Sequence, residues 1–456
     1  MNIHDTLKYL NMGLPDDIRR CQMQGDYNEA IRLVDYRLAQ NNLPQCLRNS
    51  LIAHREMFLR IQDDFPYTME DVLKQFQDEL PDFTMEELQS LMDQGYIRWI
   101  FLNGQKRLFS RTLSSVRLSV RGMVNRMAGD KWTEVPVPML DASMHRMKEK
   151  GAMTCRIRVR ATTKLKEDHF TPGMFLRVHL PVPAACPQQS DIRIERVWPE
   201  GGRIAPEDAP QRTICWEVTT EENTEFGVEY SYLHTAVYKD AYNGQGLSGT
   251  YDFDVSEQEP HIVFSPYIRT LCAELTEGIS DPLMKARAIY DFITKNMHYT
   301  YMPEYFVLES IAESCARNYN GDCGVFALLM ITLCRCAGIP AQWQSGLATN
   351  PESAGCHDWV KFYVEPYGWI YADPSFGVSA TRLEKEERRQ FYFGNLEPYR
   401  MVANREFQEN FTIPKEHWRA DPYDNQSGEM ETTDRGFRPE EYIRNQELLC
   451  CEDVTP

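Results

Sequence analysis

The chain lacks the features that mark secreted and membrane proteins. Its first residues, MNIHDTLKYL, carry neither the basic start nor the apolar stretch of a secretory signal. No apolar run approaches the roughly eighteen residues that a membrane span needs. The sequence therefore predicts a soluble protein of the cytoplasm with no membrane partner.

Positive charge is scarce, since 49 Lys and Arg residues stand against 67 Asp and Glu residues and the formal net charge is -18. Proteins that mainly bind nucleic acid or anionic membranes need a basic footprint, so we expect no nucleic-acid partner. Residues 98–131 are the exception, and they could attract an anionic partner or pair with acidic surface of the same chain. This basic segment contains a single acid, Asp130, and eight basic residues: Arg98, Lys106, Arg107, Arg111, Arg117, Arg121, Arg126 and Lys131.

Dense cysteine spacing is also missing. The 13 cysteines are scattered along the whole chain, which does not resemble a disulfide framework. Cys334 and Cys336 stand two apart in a helical pattern and so point away from each other, which argues against a zinc site shared with Cys356 and His357. We expect buried thiols, no metal and no cofactor.

The first 150 residues predict helical modules. Residues 1–65 form a helical N-terminal region, because the capping signal Asp26-x-x-Glu29 precedes apolar residues at helical spacing. Residues 66–115 give two capped helices and then an Asn103-Gly104 hairpin, the order of a winged-helix-like module. Such a module could bind DNA or merely pack. Its second helix, TMEELQSLMDQ, is acidic, which favours packing. Residues 116–150 are a helical linker.

The middle and the end of the chain differ sharply in composition. Residues 151–245 contain runs such as TCRIRVRA and TICWEVTT, which alternate at period two between Pro, Gly and Asp clusters and predict an antiparallel β-sandwich domain. Residues 401–456 are acidic and polar, which predicts an extended or partly ordered tail.

Cys323 is the most informative residue between them. It follows Asn-Gly-Asp and begins CGVFALLMITLCRC, a helix that is apolar all round, is expected to be buried, and ends at Gly338 with Pro340 behind it. A thiol at a helix N-terminus faces free N–H groups and the positive end of the helix dipole, which favours thiolate. The position suits a nucleophile.

A base and an orienting acceptor follow in CHDWVKFYVEPYGWIYADPS. A hairpin centred near Glu365 would set His357 beside Asp373 on adjacent strands. An imidazole between a thiol and a carboxylate is the arrangement that activates a nucleophilic cysteine. Each residue also has an ordinary structural interpretation, as a buried thiol, a locally bonded histidine and a turn former.

Together these two stretches resemble the catalytic core of the transglutaminase-like superfamily, whose fold is related to papain-type cysteine proteases. The resemblance covers about residues 260–377, within a catalytic domain of residues 258–400, and the preceding β-sandwich is similar to that of bacterial multidomain members. It implies that Cys323 is the nucleophile, His357 the general base and then acid, and Asp373 the orienting carboxylate. The fold class is therefore α+β and multidomain.

The implied reaction is acyl transfer from an amide of a peptide or protein substrate through a thioester. The backbone N–H of Cys323 is one candidate oxyanion donor, and Asn318, Tyr319 and Asn320 lie near it in sequence without identifying a second. No calcium-loop pattern supports a calcium-dependent cross-linker. We favour hydrolysis, as in a peptidase or amidase, over cross-linking. The alternative is a catalytically silent scaffold that acts as a protein-interaction module.

Overall fold

The computed structural model describes residues 3–120, 122–128, 138–351 and 353–456. The helices of these ranges are all too short or too polar to cross a membrane. The helical prediction for the N-terminal region is confirmed, because three helices pack in succession there. They are α1 (Asp16–Gln24), α2 (Tyr27–Leu38) and α3 (Gln45–Asp64).

Two capped helices and a hairpin follow, as predicted. The Thr68 and Thr84 hydroxyls accept hydrogen bonds from the third backbone N–H of their helices, at 3.1 and 3.2 Å. Asn103 and Gly104 have φ angles of 48° and 83°, which suits the tight hairpin turn. The elements are α4 (Met69–Glu79), α5 (Met85–Asp93), β1 (Trp99–Leu102), β2 (Gln105–Leu108), α6 (Thr112–Ser119), α7 (Met123–Ala128) and α8 (Pro138–Lys150).

The alternating segment forms six strands: β3 (Ala152–Leu165), β4 (Met174–Pro181), β5 (Gln189–Trp198), β6 (Arg203–Ile204), β7 (Thr213–Thr220) and β8 (Phe226–Val237). They belong to two four-stranded sheets. Each sheet takes an edge strand from far along the chain, namely β16 (Glu429–Glu431) beside β4 and β17 (Tyr442–Asp453) beside β3. The sheets are therefore not built from residues 151–245 alone.

The remaining elements surround one buried helix. They are α9 (Pro266–Leu275), α10 (Pro282–Asn296), β9 (His298–Tyr299), α11 (Ile311–Asn318), β10 (Asn320–Gly321), α12 (Cys323–Cys336), β11 (Ala341–Ala348), β12 (Gly355–Val364), β13 (Gly368–Ala372), α13 (Pro374–Arg382), α14 (Glu386–Phe391), β14 (Phe393–Gly394) and β15 (Arg400–Asn404). A five-stranded sheet in the order β14-β13-β12-β11-β15 packs against α12. Helix α12 is buried from Gly324 to Arg335, as its apolar sequence predicts.

The prediction of a partly ordered acidic tail is wrong. Strand β17 pairs with β3 from Tyr442 to Asp453, and β16 pairs with β4. Some of the acidic residues there are buried and pair with cations inside the protein. Glu429 forms an ion pair with Lys415, with 2.9 Å between Oε2 and Nζ. Glu431, which is fully buried, pairs with Arg177. Composition alone could not show these partners.

Six basic residues of the basic segment lie in the described part of the chain, and Arg121 and Lys131 lie outside it. All six contact other groups of the protein. Arg98 bonds Asn320, Lys106 lies over the Trp99 ring, Arg107 donates to the Pro66 carbonyl, Arg111 lies over the Tyr301 ring, Arg117 pairs with Glu79, and Arg126 pairs with Glu87. The segment therefore serves packing, and an anionic partner there stays a prediction.

Candidate active site

Helix α12 sets Cys323 at its first turn. Asp322 is the N-cap, and its Oδ1 accepts the Val325 N–H at 3.1 Å. The Cys323 side chain is half-buried at the head of the helix, where the sequence predicted it. Of the candidate oxyanion donors near it, the Asn318 amide donates to the Ser314 carbonyl at 2.8 Å and the Asn320 amide to the Gly95 carbonyl at 3.1 Å. Neither amide is directed at the thiol.

The thiol of Cys323 bonds a residue that the sequence did not single out. Its Sγ donates to Oδ2 of Asp358 at 3.2 Å. Burial, followed by the negative charges of Asp358 and Asp322, raises the pKa of the Cys323 thiol well above its ordinary value. The expectation of a lowered pKa is therefore wrong for this conformation. Burial and the two carboxylates beside the sulfur together outweigh the helix dipole, whose effect falls off within one turn.

His357 and Asp373 are in direct contact, as the hairpin predicted. His357 Nε2 lies 2.7 Å from Asp373 Oδ2, and both side chains are buried. Val360 pairs with Ala372, so the hairpin is centred one residue later than expected and Asp373 is a diagonal neighbour of His357 instead of its direct partner. The residue opposite His357 is thus two positions further along the chain than expected. A shift of two residues leaves side chains on the same face of the sheet, so His357 and Asp373 still meet.

Asp373 is held by more than the imidazole. Its Oδ1 accepts the Phe376 N–H at 2.8 Å as the N-cap of α13. Arg400, fully buried, places its guanidinium Nη1 2.8 Å from Oδ2. Burial alone would raise the pKa of Asp373, but the charges of His357 and Arg400 hold it well below its ordinary value. The carboxylate is thus ionised and fixed.

Sequence reasoning missed Arg400. Its Nε and Nη2 also donate to Glu397 at 2.8 and 3.0 Å, and its guanidinium lies 4.6 Å from the Phe376 ring centroid. A signal was present, because Arg400 begins the apolar run Arg-Met-Val-Ala, and a charge in a buried strand needs a partner.

The described residues do not bring the thiol and the imidazole into a hydrogen bond. His357 and Asp358 are consecutive in β12, and consecutive strand residues point to opposite faces. Cys323 contacts Asp358, whereas His357 lies 4.7 Å from the Phe376 ring centroid.

Two cavities flank these residues, and Tyr299 lines both. Cys323 lies in a cleft of about 570 Å³ whose far wall is residues 420–429. His357 lies in a cavity of about 480 Å³ that is lined by α13 and by Leu118 and Ser119 of α6. The Tyr301 N–H donates to Ser115 of α6 at 3.2 Å, which anchors this helix there. Helix α6 therefore forms part of the wall of the cavity.

Asp64 in the Cys323 cleft makes stability depend on pH. Burial, and then the charge of Glu304, raises the pKa of Asp64 to about 8. Because the folded carboxyl holds its proton more tightly than the unfolded one, its contribution is fully present below the ordinary pKa near 3.8 and is lost as the pH rises toward 8. We expect the melting temperature of Asp64→Asn to exceed that of the native protein by a margin that grows between pH 5 and pH 9.

Thermal melting across that range checks this effect, with Asp78→Asn, an exposed change in α4, as the control. A melting difference that stays constant with pH for Asp64→Asn would contradict the assignment.

Comparison with known families decides the class of the core. Residues 269–374, which include Cys323, His357 and Asp373, match the model of the transglutaminase-like superfamily. This segment is a transglutaminase-like core. This chain is 28% identical over 131 residues to the Bacillus subtilis protein YebA, covering 25% of this chain and 18% of that protein. It is 26% identical over 132 residues to a protein-glutamine gamma-glutamyltransferase of Pseudomonas aeruginosa, covering 26% and 20%. The chain thus spans about a fifth of these relatives.

Solved structures overlap with more of the chain at low identity. A candidate cysteine protease from Cytophaga hutchinsonii aligns with a TM-score of 0.42 and 18% identity, over 67% of this chain and 92% of that one. The periplasmic domain of TgpA from Pseudomonas aeruginosa aligns with a TM-score of 0.28 and 14% identity, over 56% and 96%. Such scores do not establish a shared arrangement of modules.

Proposed function

We propose that the protein is a cysteine enzyme that transfers an acyl group from an amide of a peptide or protein substrate through a thioester on Cys323. The observation that carries the proposal is the buried 2.7 Å contact between His357 and Asp373, within a segment that matches the family and contains a cysteine at the head of a buried helix. A buried imidazole fixed by an ionised carboxylate is suited to move protons for a thiol.

The contact between His357 and Asp373 supports one order of proton transfers. Because Asp373 is ionised, His357 Nε2–H donates to it, which leaves Nδ1 as the base. Nδ1 takes the thiol proton of Cys323, the sulfur attacks the amide carbonyl, and the imidazolium then protonates the leaving amine. Water adds to the thioester with His357 as the base, releasing the acid and the thiol. We favour water over an amine as the acceptor, because water is always present.

The observed thiol contact makes activation a separate step. Cys323 is bonded to Asp358, so the sulfur must leave this carboxylate before Nδ1 can take its proton. We infer that the structure represents a resting enzyme, in which Asp358 keeps the thiol protonated. Substrate binding, which changes the surroundings of Asp358, is the natural trigger.

Alkylation of Cys323 by iodoacetamide tests this function without a known substrate. We expect the native protein to react slowly at pH 7, and Asp358→Ala to react about tenfold faster, because each pKa unit removed gives tenfold more thiolate. Adding His357→Ala to that variant should abolish the gain, since the imidazolium that stabilises the thiolate is gone. Mass spectrometry identifies the Cys323 peptide among the 13 cysteines.

A scaffold without activity is the second candidate, and the raised pKa of Cys323 favours it. If Asp358→Ala brings no gain and His357→Ala changes nothing, the thiol is inert and the scaffold is the better account. We also propose, as finer architecture, that residues 66–115 are a winged-helix-like packing module and that the two four-stranded sheets form one sandwich. Both sheets contribute buried residues to the same core cluster, among them Val178 and Val228.

A further inference from the structure

The cleft around Cys323 has an unusual charge. Eight carboxylate side chains line it, against two guanidinium groups, those of Arg111 and Arg444. Some of the acids have partners that explain them, since Glu304 pairs with Arg60 at 2.8 Å and Glu429 with Lys415 at 2.9 Å. Asp358, Asp421 and Asp424 have hydrogen-bond partners of another kind.

Asp358, which accepts from the Cys323 thiol, and Asp421 and Asp424 of the same cleft are bonded mainly by neutral groups. Asp358 accepts from the Cys323 thiol and the Gln426 amide. Asp424 accepts from the Ser345 hydroxyl and from the Gln426 amide, the latter at 2.9 Å. Asp421 Oδ1 accepts the Tyr423 N–H at 2.8 Å. Arg419 attracts Asp421 and Asp424, but burial raises the pKa of both carboxyl groups, and the charge of Asp424 raises that of Asp421 further. Acidic groups therefore outnumber cations in the cleft, and a further cation would favour their ionised forms.

A donor in the same cleft also lacks a partner. Asn425 is 2% exposed, and its Oδ1 accepts the Gly428 N–H at 2.8 Å, which fixes the orientation of the amide. Its Nδ2 has no hydrogen-bond acceptor in the part of the chain that the structure describes. A buried donor left unsatisfied costs free energy, so an acceptor from a ligand, such as a substrate carbonyl, would fit this position.

We propose that the cleft is a subsite for a permanently positive, non-reacting group of the substrate, such as an ammonium or guanidinium, with Asp421 and Asp424 as the residues that select it. This inference rests on the proposed function and adds the class of substrate. A cation beside these carboxylates relieves their mutual repulsion, and the Asn425 amide donates to a carbonyl of the same molecule. The selecting residues lie outside residues 269–374, the segment that matches the family.

The occupied subsite also explains how the resting state ends. A cation close to Asp358 offsets the negative charge that keeps the Cys323 thiol protonated. The sulfur can then leave Asp358 for the imidazole. Binding of the correct substrate and activation of the nucleophile are thereby one event.

Charged thiol reagents of similar size test the subsite on the full chain. The probes are methanethiosulfonates that carry a trimethylammonium, a sulfonate or a methyl group, and each rate on Cys323 at pH 8 is divided by its rate on N-acetylcysteine. We expect the trimethylammonium reagent to be favoured over the sulfonate by about tenfold or more at low salt, and less at high salt. The Cys323 peptide is quantified by mass spectrometry, because Cys356 lines the same cleft.

Asp421→Asn and Asp424→Asn should each reduce this preference by about threefold or more, while Glu200→Gln, an exposed change outside the cleft, should leave it unchanged. Two aspartate variants are used so that a folding defect in one does not decide the result. If the normalised rates of the trimethylammonium and sulfonate reagents differ by less than about twofold, the subsite is overturned. Failure of the proposed function looks different, because His357→Ala would then leave the rate of the neutral reagent unchanged in the Asp358→Ala background.

Discussion

Replacing Asp373 with asparagine is expected to slow acylation of Cys323 on the order of 10³-fold or more. In the proposed mechanism the ionised carboxylate, 2.7 Å from Nε2 of His357, accepts Nε2–H and leaves Nδ1 as the base for the thiol. An asparagine amide can donate to Nε2 instead, which moves the imidazole proton to Nδ1 and removes the base. The readout is single-turnover acylation by p-nitrophenyl acetate, followed by release of p-nitrophenolate and by mass spectrometry of the Cys323 peptide.

The chain offers a matched control for this substitution. Asp281, like Asp373, caps a helix that begins with proline, and its Oδ1 accepts the Leu283 N–H at 2.8 Å. Asparagine is as good an N-cap as aspartate, so neither substitution should unfold its helix. Asp281→Asn should acylate at the native rate. Equal rates for the two variants would show that Asp373 only caps α13 and does not orient His357.

Replacing Arg400 with methionine is expected to lower the free energy of unfolding by about 3–5 kcal/mol, because it leaves two buried carboxylates without their cation. Arg400 lies against Asp373 at 2.8 Å and donates to Glu397, and both acids are buried. Denaturant unfolding of the full chain measures the loss. Acylation should fall as well, since the Asp373 carboxylate would no longer be held in its low-pKa state.

A double variant separates lost charge pairing from lost packing. Arg400→Met together with Glu397→Gln removes one of the two stranded charges, so it should be more stable than the sum of the single effects predicts. Arg400→Lys keeps the charge but loses the planar fork, and should show an intermediate loss. If Arg400→Met and the native protein unfold at the same denaturant concentration, the guanidinium is not the group that stabilises these acids.

Local patterns in the sequence determined the elements and most of the site. The apolar helix from Cys323 to Cys336, the hairpin at Asn103-Gly104 and the alternating strands follow from periodicity, capping and turn chemistry, which act over a few residues. The contact between His357 and Asp373 followed from one hairpin, and it tolerated an error in the centre of the turn. These features depend on neighbours within about twenty residues, which a sequence displays directly.

Only the tertiary structure decided the state of the thiol and the role of the chain ends. Residues 421–428 reach the cleft because β15, β16 and β17 join sheets whose other strands lie far away in sequence. That topology sets Asp424 and Gln426 beside Asp358, and Arg400 beside Asp373. A pKa depends on burial and on charges within a few ångströms, and neither quantity can be obtained from spacing along the chain. The sequence thus singled out Cys323, and the fold placed the Asp358 carboxylate that its thiol contacts.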